Sequence, residues 1–591
     1  MNLSSFKQQA TLFLAVVCVY YHLHLIFTGL IPNLISRPIH LALALPWVFV
    51  IGSKDEGIKK IVGIILCLFG LYSCAYIAIN RDLLVEQYGY LENVQQYSIS
   101  IGLILVVLEM ARRAVKLALP TVAVIAMLYA LFGQYLPGEF GHPGLPVGSF
   151  LGTLVIAEGG LWGPLTGVSV NVVAIFVILG AFIGAGEGGT SFMALATKLA
   201  GRYRAGAAKV SVLSSAFFGS ISGSASANVA STGAVTLPTM KRLGYPASFA
   251  AAVEAVASSG GQIMPPLMGA GAFVMMELLR VRYVDIMVAA ILPATLFFLA
   301  AWVGVDLFAR RYGLNAMTAE EIPLTKRVIR LAPFFLIPFG LMLSVLFLTN
   351  YTPQFAAAIA IFSAAALLVV NEELEFSLRR CFERFANACR NAAGQIAMIA
   401  SIIICAGLVI GVLNMTGLGI KVTSVILGLA GGKLWVALLL TAAACLILGM
   451  EVPTTAAYLI CVSVAGPALQ QLGLTPLQAH LFVFWYALLS TITPPVCGTV
   501  FIAAGMAETP WVPVAGQAMR LGLGLYFVPL AFIANPHLLT PTTHPVLAAI
   551  AFTKIGLGLW LLGKSLIAEG SVMRRILYFL VGLIAIFLFG V

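Results

Sequence analysis

Gly219-Ser-Ile-Ser-Gly-Ser-Ala-Ser-Ala-Asn228, followed by Ser259-Gly-Gly-Gln-Ile-Met-Pro-Pro266, sets a small polar stretch and a Pro-Pro pair inside otherwise apolar sequence. A second set repeats the arrangement: Gly449-Met-Glu-Val-Pro-Thr-Thr455, then Ser490-Thr-Ile-Thr-Pro-Pro495. From Gly219 to Pro265 is 46 positions, and from Gly449 to Pro494 is 45. Proline lacks a backbone donor and disrupts a helix interior. At membrane depth, freed backbone groups are tolerated only where they line a cavity or are buried in protein. Breaks at corresponding places of two halves point to the binding centre of a secondary transporter.

The surrounding composition fits a membrane setting. Of 591 residues, 61% are hydrophobic and 9% charged, against about a quarter charged in a soluble domain. Runs such as Ala10–Ile31, Gly57–Ile79, Gly167–Gly184 and Leu331–Leu348 are close to or above the ~18–20 residues that span a bilayer as helix. The first run is read as a retained helix, because no small-x-small cleavage site follows before Pro32. The net charge of +11 would suit nucleic acid if it formed one patch. Instead it lies in short clusters, including Lys198/Arg202/Arg204/Lys209, Lys241/Arg242, Lys326/Arg327/Arg330 and Arg379/Arg380/Arg384/Arg390. Loops 137–148, 350–354 and 534–545 contain no Lys or Arg. This is the positive-inside pattern of a multi-pass protein of the cytoplasmic membrane, and no nucleic-acid partner is expected. The nine cysteines are scattered through apolar runs without metal spacing and read as core.

The expected fold class is an all-α polytopic integral membrane protein built on inverted repeats, with two reentrant hairpins and two broken helices. Residues 1–115 give four helices, and 116–163 a linking helix and an amphipathic connector. The first repeat occupies 164–310, with a hairpin at 207–240 and a broken helix at 246–280. Scaffold helices follow at 329–371. The second repeat, 394–533, has a hairpin at 433–470 and a broken helix at 476–507, and two C-terminal helices fill 545–591. With the N-terminus inside, the first hairpin enters from the cytoplasm and the second from the other side. Lys421 and Lys433 then fall outside, against the charge rule.

Helix ends at mid-membrane carry chemistry: free N–H groups attract carboxylates and free C=O groups coordinate cations. In the first half the candidate ion- and substrate-binding residues are Ser220, Ser222, Gly223, Ser224, Ser226, Asn228, Ser259, Gly260, Gly261, Gln262, Pro265 and Pro266. In the second half they are Gly449, Glu451, Pro453, Thr454, Thr455, Ser490, Thr491, Thr493, Pro494 and Pro495. Neutral oxygens suit a weakly held Na⁺, whereas a carboxylate cage would suit a divalent ion. Small and hydroxyl residues also pack membrane helices; taken singly each reads that way, but coupled to intramembrane Pro-Pro pairs they read as a site. Glu254 and Glu451 are intramembrane carboxylates, functional candidates by default. Each is a candidate proton carrier, and each could equally brace a helix break by hydrogen bonding. No organic cofactor is expected, only a coupling ion, Na⁺ or H⁺.

The segments Ala207-Ala-Lys-Val210, Ser222-Gly-Ser-Ala-Ser-Ala-Asn228, Leu237-Pro-Thr-Met-Lys-Arg242, Ala252-Val-Glu-Ala255 and Gly260-Gly-Gln-Ile-Met-Pro-Pro-Leu-Met-Gly269 resemble the fused permease of TRAP transporters, and specifically its TAXI subclass. In that subclass the small four-helix subunit and the large subunit share one chain, so residues 1–115 resemble a small-subunit scaffold region. The resemblance implies an elevator mechanism and a periplasmic or membrane-anchored substrate-binding protein of TAXI type. It further implies a small organic anion as substrate, such as a dicarboxylate, 2-oxo acid or acidic amino acid. In relatives the coupling ion is Na⁺, held by neutral oxygens that match Ser220–Ser226, Asn228 and the 260–264 backbone here. Glu451 at the second hairpin tip departs from the usual pattern and keeps proton coupling open.

Rival classes fit less well. A dicarboxylate carrier working without a binding protein would not need the N-terminal helices or the 207–269 motif. An intramembrane serine protease needs a base, yet no histidine lies within 207–269. A channel would give no gradient-driven accumulation. An ATP-driven pump would carry a phosphate-binding loop between a strand and a helix, whereas the one Gly-x-x-x-x-Gly-Lys-Ser match, Gly558–Ser565, lies inside an apolar run of the C-terminal region.

Overall fold

The computed structural model describes residues 3–53, 55–449, 453–494, 497–588 and 590. The protein is all-α: among the described residues the sole β-pairing is an isolated bridge between Val370 and Phe376. Ten of the described helices are long and apolar enough to cross a membrane. The bent pair Thr325–Leu331 and Pro333–Leu348 raises the number to eleven.

Two segments carry the same order of elements. The first runs from Pro164–Val168 through a π-turn at Ser169–Val173 into Ala174–Ala185, then Gly188–Ala200 and a hairpin of Gly206–Ser222 and Ala225–Arg242. A broken helix, Ala247–Gly260 and Ala270–Leu279, and the helix Tyr283–Tyr312 complete it. The second has Leu378–Thr416, Leu418–Ala430, a hairpin of Leu434–Leu448 and Thr454–Gln471, a broken helix of Pro476–Leu489 and Gly498–Ala507, and Trp511–Leu521 leading into Leu523–Ala534. Both broken helices divide into halves of 14 and 10 residues. The hairpins start 228 positions apart, Gly206 against Leu434, and their second arms 229 apart, Ala225 against Thr454. The 17-residue arm Gly206–Ser222 rises about 25 Å, short of the ~30 Å hydrocarbon core.

Local chemistry explains the hairpin turn. Gly223 ends the first arm in the left-handed region, φ +60°, where glycine avoids a Cβ clash. Ser224 then caps the second arm, its hydroxyl accepting from the Ala227 N–H at 3.3 Å.

Several boundaries differ from the sequence-based expectation. The helix expected at 394–416 is the C-terminal part of a 39-residue helix, Leu378–Thr416, capped at its start by Ser377. No proline interrupts it, so its basic amphipathic first half and apolar second half run together. Leu418–Ala430, which periodicity alone did not single out, is the counterpart of Gly188–Ala200, each 13 residues long. Lys421 has a structural reason to lie where it does. Its ammonium donates to the Gly141 carbonyl at 2.6 Å and the Tyr129 hydroxyl at 3.2 Å, tying it to the loop 137–148, which has no Lys or Arg.

Polar contacts join the N-terminal helices to the segment before the first repeat and to the repeat itself. Arg37, in Asn33–Pro46, donates to the Trp162 carbonyl and pairs with Glu158 at 3.5 Å. His22 and His40, both fully buried, form a chain to Ser169 in the π-turn, with spacings of 2.8 and 3.0 Å. The Cys18 carbonyl can only accept, at 2.7 Å from His22 Nδ1. That fixes the direction: Ser169 donates to His40, His40 to His22, and His22 to Cys18.

Loop charge predicts that the two hairpins open to opposite sides of the membrane. Lys433→Cys is expected to react with a membrane-impermeant maleimide from the periplasmic side, and Lys326→Cys only after permeabilisation. The reverse labelling would contradict the arrangement.

Candidate functional site

The first hairpin and the first broken helix meet without side chains between them. A Cβ placed on Gly219 would lie 2.4 Å from the Gly261 Cα, and one on Gly261 would lie 2.5 Å from the Gly219 Cα. The Asn228 side chain closes this contact. Its amide nitrogen donates to the Ser215 carbonyl at 3.0 Å and approaches the Ser258 carbonyl at 3.4 Å. Asn228 therefore satisfies backbone acceptors of both elements, as buried carbonyls at this depth require. Gly223 at the hairpin tip faces Gly269, beyond the break. The Gly269 N–H donates to the Gln262 carbonyl at 2.9 Å, closing the Pro265-Pro266 loop on itself.

Glu254 lies one helical turn before Ser258 and has no exposed surface. Ser211 donates to its Oε2 at 2.7 Å, Ser258 to Oε1 at 3.2 Å, and Thr236 and Thr232 bond one oxygen each. Ser215 stands 3.4 Å from Oε1. These hydroxyls come from both hairpin arms and from the helix of Glu254 itself. Ser211 with Ser215, Thr232 with Thr236, and Glu254 with Ser258 are each i,i+4 pairs, so each helix presents its two groups on one face. Sequence reasoning singled out Glu254 but missed all five hydroxyls, although the triple i,i+4 spacing was readable.

The second repeat has the matching contact. A Cβ on Gly449 would meet the Ser490 Oγ at 2.6 Å, so the hairpin tip again abuts the helix break. Thr493 shares a hydrogen bond of 2.9 Å with the Tyr526 hydroxyl, a residue the sequence pattern did not mark. Thr454 is buried and Thr455 half-buried. Glu451 and Pro495 fall outside the described residues, as does the side chain of Ser222.

The two broken helices touch through hydroxyls. Ser259 Oγ lies 2.8 Å from Thr491 Oγ1 and 3.3 Å from Thr499 Oγ1. Thr499, missed from the sequence, also donates to the Thr491 carbonyl at 2.7 Å. The structure thus brings Ser259 and Thr491 together across the repeats. Ser220 turns its hydroxyl back to the Phe217 carbonyl, and Ser226 is exposed. Gln262, Gly260 and Gly261 are buried at the break, while Pro265, Pro266, Pro453 and Pro494 are half-buried. His480 hydrogen-bonds Tyr458 at 2.7 Å, so its ring is engaged in the second repeat.

A cavity of about 700 Å³ opens beside this centre. Its walls include Ala227, Ser231, Thr232 and Val235 of the hairpin on one side, and Asn391 and Gln395 of Leu378–Thr416 on the other. Glu320, Glu321 and Arg327, from the charge-rich segment after Tyr283–Tyr312, also line it. The positive-inside rule predicts that this end is cytoplasmic. Thr232 both lines the cavity and bonds Glu254.

Hairpins and paired helix breaks beside a cavity are the arrangement expected of a secondary transporter, and comparison with known proteins shows the family. Residues 103–547 match the family model described as tripartite ATP-independent periplasmic transporter, DctM component. The chain belongs to this TRAP permease family. It is similar to the C4-dicarboxylate TRAP transporter large permease protein DctM of Pseudomonas aeruginosa, 26% identical over 365 residues, covering 61% of this chain and 82% of the relative. It is similar also to the isethionate TRAP transporter permease protein DctMQ of Oleidesulfovibrio alaskensis, 24% identical over 397 residues, 64% of this chain and 61% of that one. A third relative is the 2,3-diketo-L-gulonate TRAP transporter large permease protein YiaN of Escherichia coli, 25% identical over 383 residues, 63% and 85%. Accordingly the protein is a multi-pass inner-membrane transporter component that works with a periplasmic substrate-binding protein.

The glycine contact gives a direct test. Gly261→Ala should lower the midpoint of thermal unfolding in detergent and cut transport at least tenfold, because its Cβ would meet the Gly219 backbone at 2.5 Å and the Asn228 amide at 2.8 Å. Gly516→Ala, with open space around its Cβ, should leave both unchanged or stabilise slightly. Equal behaviour of the two variants would contradict the packing described.

Proposed function

We propose that this TRAP permease is of the TAXI type, with the small subunit fused at its N-terminus, and imports a small organic anion by an elevator movement coupled to H⁺. The family match begins at residue 103, so the preceding helices stand where a fused small subunit would. The substrate classes proposed are a dicarboxylate, a 2-oxo acid or an acidic amino acid. The printed names of the three relatives, which specify isethionate, C4-dicarboxylate and diketogulonate, support an organic anion. A binding protein of TAXI type would deliver it.

The observation that carries the coupling reading is Thr232, bonded to Glu254 on one side and open to the cytoplasmic cavity on the other. Hydroxyls donated from Ser211, Thr236 and Ser258 stabilise a carboxylate that has lost its proton. This is the state expected after release to the cytoplasm. Protonation on the outer side would weaken that donor set and ready the hairpin body for its inward movement with substrate. The hairpins and broken helices would move as one body, since Gly219–Gly261, Gly449–Ser490 and Ser259–Thr491 bind them together. The scaffold would include Leu378–Thr416 and the N-terminal helices.

A second reading, coupling to Na⁺, rests on the neutral oxygens of Ser259, Thr491 and Thr499 at the junction of the broken helices. Monovalent ions suit such ligands.

Uptake into proteoliposomes, with binding protein and a labelled organic acid, separates the two. Accumulation under an imposed proton gradient without Na⁺, lost in Glu254→Gln while counterflow exchange persists, is the expected result. Accumulation driven by Na⁺ alone and retained in Glu254→Gln would overturn proton coupling and favour the junction. Full uptake without any binding protein would identify a self-sufficient carrier instead.

A further inference from the structure

Away from the transport centre, the helix Tyr283–Tyr312 and the C-terminal helix Pro545–Ile567 enclose two adjoining cavities. The first, of about 310 Å³, lies at the cytoplasmic ends of both helices and is lined by Lys209, Trp302, Asp306, Arg310, Trp560 and Lys564. Three cations face one carboxylate in this cup. Asp306 is shared between Lys209 at 3.0 Å and Arg310 at 3.2 Å. Among the described residues Lys564 pairs with no carboxylate. Its ammonium lies 3.7 Å from the Trp560 ring centroid and 5.5 Å from that of Tyr578. Lys209, itself buried, stands 4.9 Å from the Trp302 ring. The cup therefore holds excess positive charge within a ring of aromatic side chains, at the depth where such residues meet the headgroup layer.

The second cavity, also of about 310 Å³, continues from the first: Val303 and Trp560 line both. Its other walls are apolar apart from Thr553, with Leu296, Leu299, Phe552 and Leu557 among them. It follows the same two helices toward mid-membrane. The two cavities together run from Leu296 to Arg310, about 21 Å of helix, of which the apolar groove from Leu296 to Val303 is about 10 Å. A cationic cup leading into an apolar groove is complementary to a phospholipid headgroup and the upper part of its acyl chain rather than to a soluble anion.

We propose that this composite cavity is a binding site for one anionic phospholipid, with its phosphate in the Lys209/Arg310/Lys564 cup and an acyl chain along Leu296, Leu299 and Leu557. Basic pockets on the cytoplasmic side of helix bundles hold anionic headgroups in this way. Pro545–Ile567 lies almost wholly beyond residue 547, where the family match ends. The lipid would thus seal the C-terminal pair of helices to the part of the chain shared with relatives. Because Lys209 belongs to the first arm of the first hairpin, the lipid would also touch the base of that hairpin.

Native mass spectrometry of the full chain, exchanged into equimolar phosphatidylglycerol and phosphatidylcholine, tests the site. The expected result is one phosphatidylglycerol retained at least fivefold over phosphatidylcholine, with the preference lost in the double variant Arg310→Gln/Lys564→Gln. Leu299→Trp, which fills the groove and keeps every charge, should lose it too, and covers the case in which the charge variant fails to fold. Arg379→Gln, at a distant exposed pair with Glu383, should retain it. No preference in the unaltered protein, retention in both site variants, or loss in Arg379→Gln would overturn the proposal. Displacement of phosphatidylglycerol by millimolar inorganic phosphate would assign the cup to a soluble anion and overturn the lipid.

Discussion

A carboxylate with no exposed surface, bonded only by neutral hydroxyls, joins three helices of the first repeat. Glu254 accepts from Ser211 on one hairpin arm, from Thr232 and Thr236 on the other, and from Ser258 on its own helix. Each hydrogen bond to a charged group contributes roughly 1.5–3 kcal/mol. Stranding such a group in the interior would cost more than any one of those bonds. The hairpin and the broken helix are consequently held in one register. The approach of Gly219 to Gly261 and the bridging by Asn228 both require that register, since either glycine with a side chain would collide with backbone. The packing of hairpin against broken helix follows from satisfying polar groups in a setting without water.

The second repeat reaches the same geometry by different chemistry. Its hairpin tip presses Gly449 against Ser490, and its break is tied by Thr493 to Tyr526. The position in Pro476–Leu489 corresponding to Glu254, 229 residues on by the hairpin offset, is Val483, which is fully buried. The two halves match in element length but not in the group that binds them. Among the described residues, the buried carboxylate that ties hairpin to broken helix belongs to the first repeat alone, and one of its donors, Thr232, also lines the cavity.

Much of this was legible in the sequence. Hydropathy and loop charge gave the spans, and the spacing of the two Pro-Pro pairs located both breaks to within a few residues. Asn228, Gly261, Gly449, Ser490, Ser259 and Thr491 were marked as candidates, and the structure places all six where a hairpin meets a helix break or one break meets the other. What the pattern did not reveal was how partners divide. Asn228 reads as a possible ion ligand in one dimension, yet its amide nitrogen faces backbone carbonyls, because only tertiary packing shows which acceptors lack donors. Thr499 and Tyr526 come from elements whose approach no local rule specifies. The long helix Leu378–Thr416 was divided because its amphipathic and apolar halves have different patterns, although nothing in its backbone chemistry interrupts it.

In the proposed mechanism Glu254 changes protonation as the permease works. Infrared difference spectroscopy of the reconstituted protein, between acidic and alkaline buffer and with Glu254→Gln as reference, reads that event at the group itself. The account predicts a protonated-carboxyl band that titrates in the unaltered protein and is absent from Glu254→Gln. Identical difference spectra from the two proteins would contradict it.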